Sequence, residues 1–75
     1  MDHPPTESLD LSIVVPAYNE EESVPLLHER IRAVVEPLGL TWEVVYVDDG
    51  STDGTRAALR ALQAADSHVV VAEQR

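Results

Sequence analysis

Two polar clusters carry the residue types that bind ligands: Pro16-Ala17-Tyr18-Asn19-Glu20-Glu21-Glu22 and Asp48-Asp49-Gly50-Ser51. A carboxylate accepts hydrogen bonds from a base N–H or from ribose hydroxyls, and a Tyr ring can lie against a base. Pro16 has no N–H, so a strand ladder should end there and free its last carbonyl for a ligand. Gly50 lets the backbone turn sharply or approach a ligand closely. Three consecutive Glu residues repel phosphate unless a metal intervenes, and neither loop has a Lys or a glycine-rich phosphate cradle. The pair of clusters therefore suits the nucleoside half of a ligand better than its phosphates.

Each cluster also has a plainer reading. Asp48, Asp49 and Ser51 can cap a following helix and form an Asx-type turn. Glu20 to Glu22 can be a solvated helix start that complements the macrodipole. Tyr18 can pack on its own loop, and Tyr46 and Trp42 can be core. His3, His28 and His68 are scattered over a tail, a helix and a strand start, which speaks against a three-His metal site. Arg56 and Arg60, one turn apart, read as an exposed helix face.

The elements that would position the clusters are legible. Leu11 to Val15 is a β-branched apolar run that reads as a strand buried on both faces. Val24, Leu27, Ile31, Val34, Val35 and Leu38 recur at helical spacing, with Ser23 as N-cap, Pro25 in the first turn, and Pro37 and Gly39 at the end. Thr41 to Val47 is a second strand. A second helix is expected from about Asp53 or Gly54 to Ala65, with Asp53 as a plausible cap and Ala58, Leu59, Leu62 and Ala65 inward. His68 to Ala72 completes the pattern as a third strand. The order is β-α-β-α-β, which implies an α/β fold with a parallel sheet and right-handed crossovers. Both polar clusters follow the carboxyl end of a strand, where open parallel sheets bind ligands. If the two strands are neighbours, the clusters face each other across one crevice. A half-domain of this kind leaves a sheet edge and a helix-packing face uncovered, so the fold is expected to be incomplete in this chain.

Composition narrows the partners. The net charge is −9, with fourteen Asp and Glu against five basic residues, and this disfavours nucleic acid or an anionic membrane surface bound through charge. There is no Cys, which excludes disulfides and thiolate-bound zinc. Met1 to Asp10 is an acidic, proline-bearing lead-in without the basic start and apolar run of a signal peptide. No stretch is apolar enough to span a bilayer, so the expected compartment is the cytoplasm. The first loop has no Gly-x-Gly-x-x-Gly and no Gly-Lys-Ser/Thr, which argues against a dinucleotide-dependent oxidoreductase and a P-loop enzyme.

Ser-Ile-Val-Val-Pro-Ala-Tyr-Asn-Glu-Glu at 12–21 and Val-Val-Tyr-Val-Asp-Asp-Gly-Ser-Thr-Asp-Gly-Thr at 44–55 resemble the opening of family 2 glycosyltransferases. The nearest flavour is the group with polyprenyl-phosphate acceptors, such as the dolichol- and undecaprenyl-phosphate glycosyltransferases. The resemblance covers the chain from Leu11 onward. It implies the N-terminal part of a GT-A, Rossmann-like nucleotide-binding domain, spanning 11–75 after the lead-in. It implies a nucleotide-sugar donor, UDP- or GDP-linked, and a polyprenyl-phosphate acceptor. Carried over by position, Pro16, Tyr18, Glu20 and Tyr46 line the donor pocket and Asp48 contacts the base or ribose, while Asp49 bonds backbone N–H groups of the following loop. The family's Asp-x-Asp motif for Mg2+ or Mn2+, its catalytic base and its acceptor site have no counterpart before Arg75. This chain is thus expected to anchor the donor without performing transfer alone, in a parent held at the cytoplasmic membrane face by parts beyond it. A truncated, non-catalytic nucleotide-binding remnant is the alternative.

Overall fold

The computed structural model describes residues 9–74. The order is β1 (Leu11–Ala17), α1 (Ser23–Val35), a 3₁₀ turn (Glu36–Leu38), β2 (Trp42–Asp49), α2 (Thr55–Ala65) and β3 (Val69–Gln74). The strands form one sheet in the order β1-β2-β3, and both pairings are parallel. The expected α/β architecture is therefore present, with element ends displaced by a residue or two. Most of the lead-in, residues 1–8, lies outside the described residues. Asp10, at its end, is tied to Thr41: its N–H donates to the Thr41 carbonyl at 2.8 Å, and its carboxylate accepts the Thr41 N–H at 3.0 Å.

Adjacent parallel strands joined twice by crossovers of one hand carry both helices on the same face. The burial pattern follows. In β2, Trp42, Val44, Tyr46 and Asp48 are buried and alternate with partly exposed Glu43, Val45 and Val47. In β1, Leu11, Ile13, Val15 and Ala17 face inward, while Ser12, Val14 and Pro16 are exposed. Register places Ile13 beside Val44 and Val15 beside Tyr46 on the helix side. The expectation that β1 is buried on both faces is corrected: its other face has nothing packed on it among the described residues, and Val14 is 64% exposed.

The inward stripe of α1 is also rotated from the expected one. Val24, His28 and Val35 are buried with Ile31 partly so, whereas Leu27, Val34 and Leu38 lie outward. The cause is the edge position of β1, which the helix overhangs. Val34 lines an apolar recess of about 320 Å³ there with Ile13, Arg30, Ile31 and Val35. Helix α1 ends in the 3₁₀ turn and at Gly39, whose φ of 70° is the left-handed conformation that closes helices. On α2, Thr55 and Leu59 are buried, and the expected inward Ala65 is exposed. Asp53 does act at the helix entry: its carboxylate accepts the Thr55 N–H at 2.9 Å, although the cap position itself is Gly54.

Candidate functional site

Because β1 and β2 are neighbours, the loops at their carboxyl ends meet, and they do so by hydrogen bonding. The Asn19 N–H donates to Ser51 Oγ at 3.0 Å, and the Thr52 N–H donates to Asn19 Oδ1 at 2.7 Å. One residue on, the Glu20 N–H donates to Thr55 Oγ1 at 2.7 Å. The Gly54 N–H donates to Glu21 Oε1 at 3.1 Å, and the Glu21 N–H reaches Asp53 Oδ2 at 3.5 Å. The helix-side half of the expected crevice is thus a clasp. Loop backbone N–H groups would otherwise need water or ligand partners, and side chains of the opposite loop supply them. Gly50, at φ 73°, makes the turn that lets the second loop reach the first.

Of the expected donor-lining residues, Pro16, Tyr18 and Glu20 are exposed, Tyr18 at 55%. Glu20 lines a recess of about 300 Å³ with Asn19, Glu21, Glu22, Ser23 and Asp53. Its lining is acidic, which suits hydroxyl groups and repels phosphate. Tyr46 and Asp48 sit elsewhere, on the helix side of the sheet with 0% exposure. Strand parity puts them there, two and three steps from Trp42 along the same face. The Tyr46 hydroxyl is bonded to His28 Nδ1 at 2.8 Å. Asp48 accepts Arg56 Nε–H at 2.8 Å and the Ser51 N–H at 3.3 Å. Hydrogen bonding from Ser51 holds its carboxyl below the usual carboxylate range against the opposing effect of burial, with Arg56 assisting. Asp49, the next residue, is exposed on the other side of β2.

Arg56, expected on an exposed face, is the counter-ion of Asp48. Arg60 pairs with Glu73 of β3, Nε to Oε2 at 2.7 Å. Sequence reasoning also missed Asn19 and Thr55. The signal for Thr55 was a hydroxyl one turn before Leu59 on the inward stripe of α2, where a polar group needs a partner. For Asn19 it was the residue type that, after glycine, visits a left-handed backbone most readily, placed two residues past the end of a strand.

Residues 12–75 match the family described as glycosyl transferase family 2. The chain belongs to that family. The chain is 46% identical over 61 residues to an undecaprenyl-phosphate 4-deoxy-4-formamido-L-arabinose transferase of Salmonella paratyphi A, an alignment covering 80% of this chain and 19% of that protein. The corresponding transferase of Salmonella newport is 44% identical over the same share. A solved mannosyltransferase from Pyrobaculum calidifontis, in complex with GDP-Man and Mn2+, superposes with a TM-score of 0.74 at 30% identity. That superposition covers 93% of this chain and 21% of the mannosyltransferase. The chain therefore spans about a fifth of the length of these relatives, and its fold is part of the GT-A, Rossmann-like architecture.

The described residues do not fit a divalent metal. They contain no group of three or more His, Asp or Glu placed to hold one. In the acidic recess, Glu21 and Asp53 already accept backbone N–H groups. No helix among the described residues is long and apolar enough to cross a membrane.

Proposed function

We propose that this chain is the nucleotide-anchoring part of an enzyme that transfers a sugar from a nucleoside-diphosphate sugar to a polyprenyl-phosphate acceptor at a membrane face. The observation that carries the donor reading is the clasp at the carboxyl ends of β1 and β2. It leaves Pro16, Tyr18 and Asp49 exposed beside a polar loop in a chain of this family. The GDP-Man held by the mannosyltransferase and the acceptor named in the Salmonella transferases support the two substrate classes.

In this reading Tyr18 stacks on the base, and Asp49 accepts hydrogen bonds from base N–H or ribose hydroxyls. Pro16 shapes the floor, and Glu20 faces hydroxyl groups across the acidic recess. Tyr46 and Asp48 act from beneath: Tyr46 anchors β2 to α1, and Asp48 fixes the second loop through Ser51 and Arg56. The diphosphate's countercharge would come from a divalent metal held by residues other than those described.

The test is titration of the chain with UDP and with GDP, followed by isothermal calorimetry. Tyr18→Ala should weaken binding about five- to thirtyfold, the effect of losing stacking of about 1–2 kcal/mol. Asp49→Asn should weaken it by about tenfold. Saturable binding unaffected by either change would sink the site, and no binding of either nucleotide would sink the anchoring role.

A further inference from the structure

Asn19 is the one described residue other than glycine with a positive φ, at 51°. That left-handed conformation costs most side chains about 1–2 kcal/mol and is visited most readily by Asn and Asp after Gly. Something must hold it, and the clasp does. The Asn19 side-chain oxygen accepts the Thr52 N–H at 2.7 Å and is reached by the Thr52 hydroxyl at 3.4 Å. The Asn19 N–H donates to Ser51 Oγ at 3.0 Å. Ser51 in turn donates its backbone N–H to Asp48, which Arg56 braces from α2. A continuous path of hydrogen bonds thus runs from the buried end of β2 to the peptide that joins Tyr18 to Asn19. Tyr18 itself is exposed, and the peptide that follows it is the one the clasp holds, through the Asn19 N–H bond to Ser51.

We propose that Asn19 is a positioning residue: through Thr52 and Ser51 it holds the left-handed turn that presents the Tyr18 ring to the donor base. The inference rests on the donor-anchoring reading of Tyr18 given above. Its physical content is preorganisation. A ring that samples several directions binds with an affinity reduced by the fraction of time spent in the competent one.

The variants separate backbone freedom from the clamp. Asn19→Gly keeps the left-handed conformation accessible and removes the side-chain acceptor. Asn19→Asp keeps both the acceptor oxygen and the tolerance for positive φ. UDP and GDP are titrated into the wild-type chain, both Asn19 variants and Tyr18→Ala, with affinity read from amide shifts. The ring contact is read from cross-relaxation between Tyr18 and the base protons. Asn19→Gly should raise Kd about five- to tenfold and weaken the ring–base cross-peak, while Asn19→Asp returns both to within about twofold of wild type. In the wild-type chain the Thr52 amide should exchange more slowly with solvent when nucleotide is bound.

If Tyr18→Ala weakens binding and Asn19→Gly does not, the positioning role is overturned and the reading of Tyr18 survives. If Tyr18→Ala binds as wild type, the reading fails and the inference falls with it, as it also does if neither nucleotide binds. An Asn19→Asp variant as weak as Asn19→Gly overturns it too. Should Asn19→Gly lose its folded spectrum, Thr52 amide exchange decides: slowing by nucleotide supports the clamp, and unchanged exchange overturns it.

Discussion

Arg56 and Asp48 form an asymmetric pair. The carboxylate has 0% exposed surface, while the guanidinium side chain keeps 36% of its own. Removing Asp48 leaves an arginine that water can solvate. Removing Arg56 leaves a buried carboxylate with only Ser51 to satisfy it, and uncompensated buried charges cost about 3–5 kcal/mol. Arg56→Ala should therefore lose about 3 kcal/mol at neutral pH, and Asp48→Ala distinctly less, both measured by urea unfolding. The sign with pH follows from linkage. Asp48 in the intact pair has a depressed pKa, so its contribution is present above the unfolded carboxylate range and is lost as the pH falls below it. In Arg56→Ala the Ser51 bonds still lower the carboxyl but the help of Arg56 is gone, so it is less depressed than in wild type, and the deficit against wild type should shrink as the pH falls below the usual carboxylate range. A deficit that stays constant from neutral to acid pH would show that Arg56 stabilises through packing. The alternation of β2 already held the placement of Asp48, since Trp42, Val44, Tyr46 and Asp48 share one parity. The pairing with Arg56 was not legible, because it depends on how α2 is phased over the sheet.

At the scale of elements, the join between α1, β2 and the turn into β3 is a polar network. His28 is 4% exposed, its Nδ1 lies 2.8 Å from the Tyr46 hydroxyl, and its Nε2 lies 2.8 Å from Asp66 Oδ2. Asp66 Oδ1 also accepts the His68 N–H at 3.0 Å and meets His68 Nδ1 at 2.7 Å, and the His68 ring stacks on Trp42 at a 4.0 Å centroid distance. Three histidines scattered in sequence gave no hint of this. The signal was there in part: Val24, His28, Ile31 and Val35 make a clean inward stripe with an imidazole in it, and a buried imidazole needs a partner at each nitrogen. Burial alone would push the Asp66 carboxyl up, but the bonds from the His68 N–H, His28 and His68 outweigh it and bring the group down to about 2. Its contribution to stability is full above about pH 4 and disappears as the pH falls through about 2. Burial, then the Asp66 charge, raises Tyr46 to about 12, so its contribution is full below about pH 10 and disappears as the pH climbs through 12. Asp66→Asn should flatten the acid limb of a stability–pH curve, and Tyr46→Phe the alkaline limb. His28→Ala should cost about 3 kcal/mol at neutral pH, because it leaves a cavity and two buried partners short of a bond. Limbs that do not respond to these changes would place the titrating groups elsewhere.

Across the whole molecule, the β-α-β-α-β order was legible because strand and helix periods differ and Pro37 and Gly39 fall between α1 and β2; Pro16, expected to end the ladder, instead lies inside β1 opposite Val47, and the strand runs on to Ala17. What one apolar run could not reveal is how many faces of its strand are covered. That depends on strand order, and the order β1-β2-β3 places both helices on one side. The opposite face carries Val14, Val45, Val47, Val70 and Ala72 in register across three strands, with Val14 64% and Val70 39% exposed. A contiguous apolar sheet face in water drives association. The valines with most surface can be replaced by Thr, which keeps the β-branched shape and strand preference while adding a hydroxyl that water satisfies. Because these side chains touch no buried group on that face, Val14→Thr with Val70→Thr should shift the thermal midpoint by no more than about 2 °C. The same pair should lower concentration-dependent self-association in sedimentation velocity. The control is Val44→Thr, whose side chain is 0% exposed on the helix side and whose hydroxyl would be buried without a designed partner. That change should cost about 1–3 kcal/mol and leave association driven by the open face in place. If the double variant associates as strongly as wild type, the open face is not the adhesive surface, and the outward leucines and valines of α1 become the surface to test.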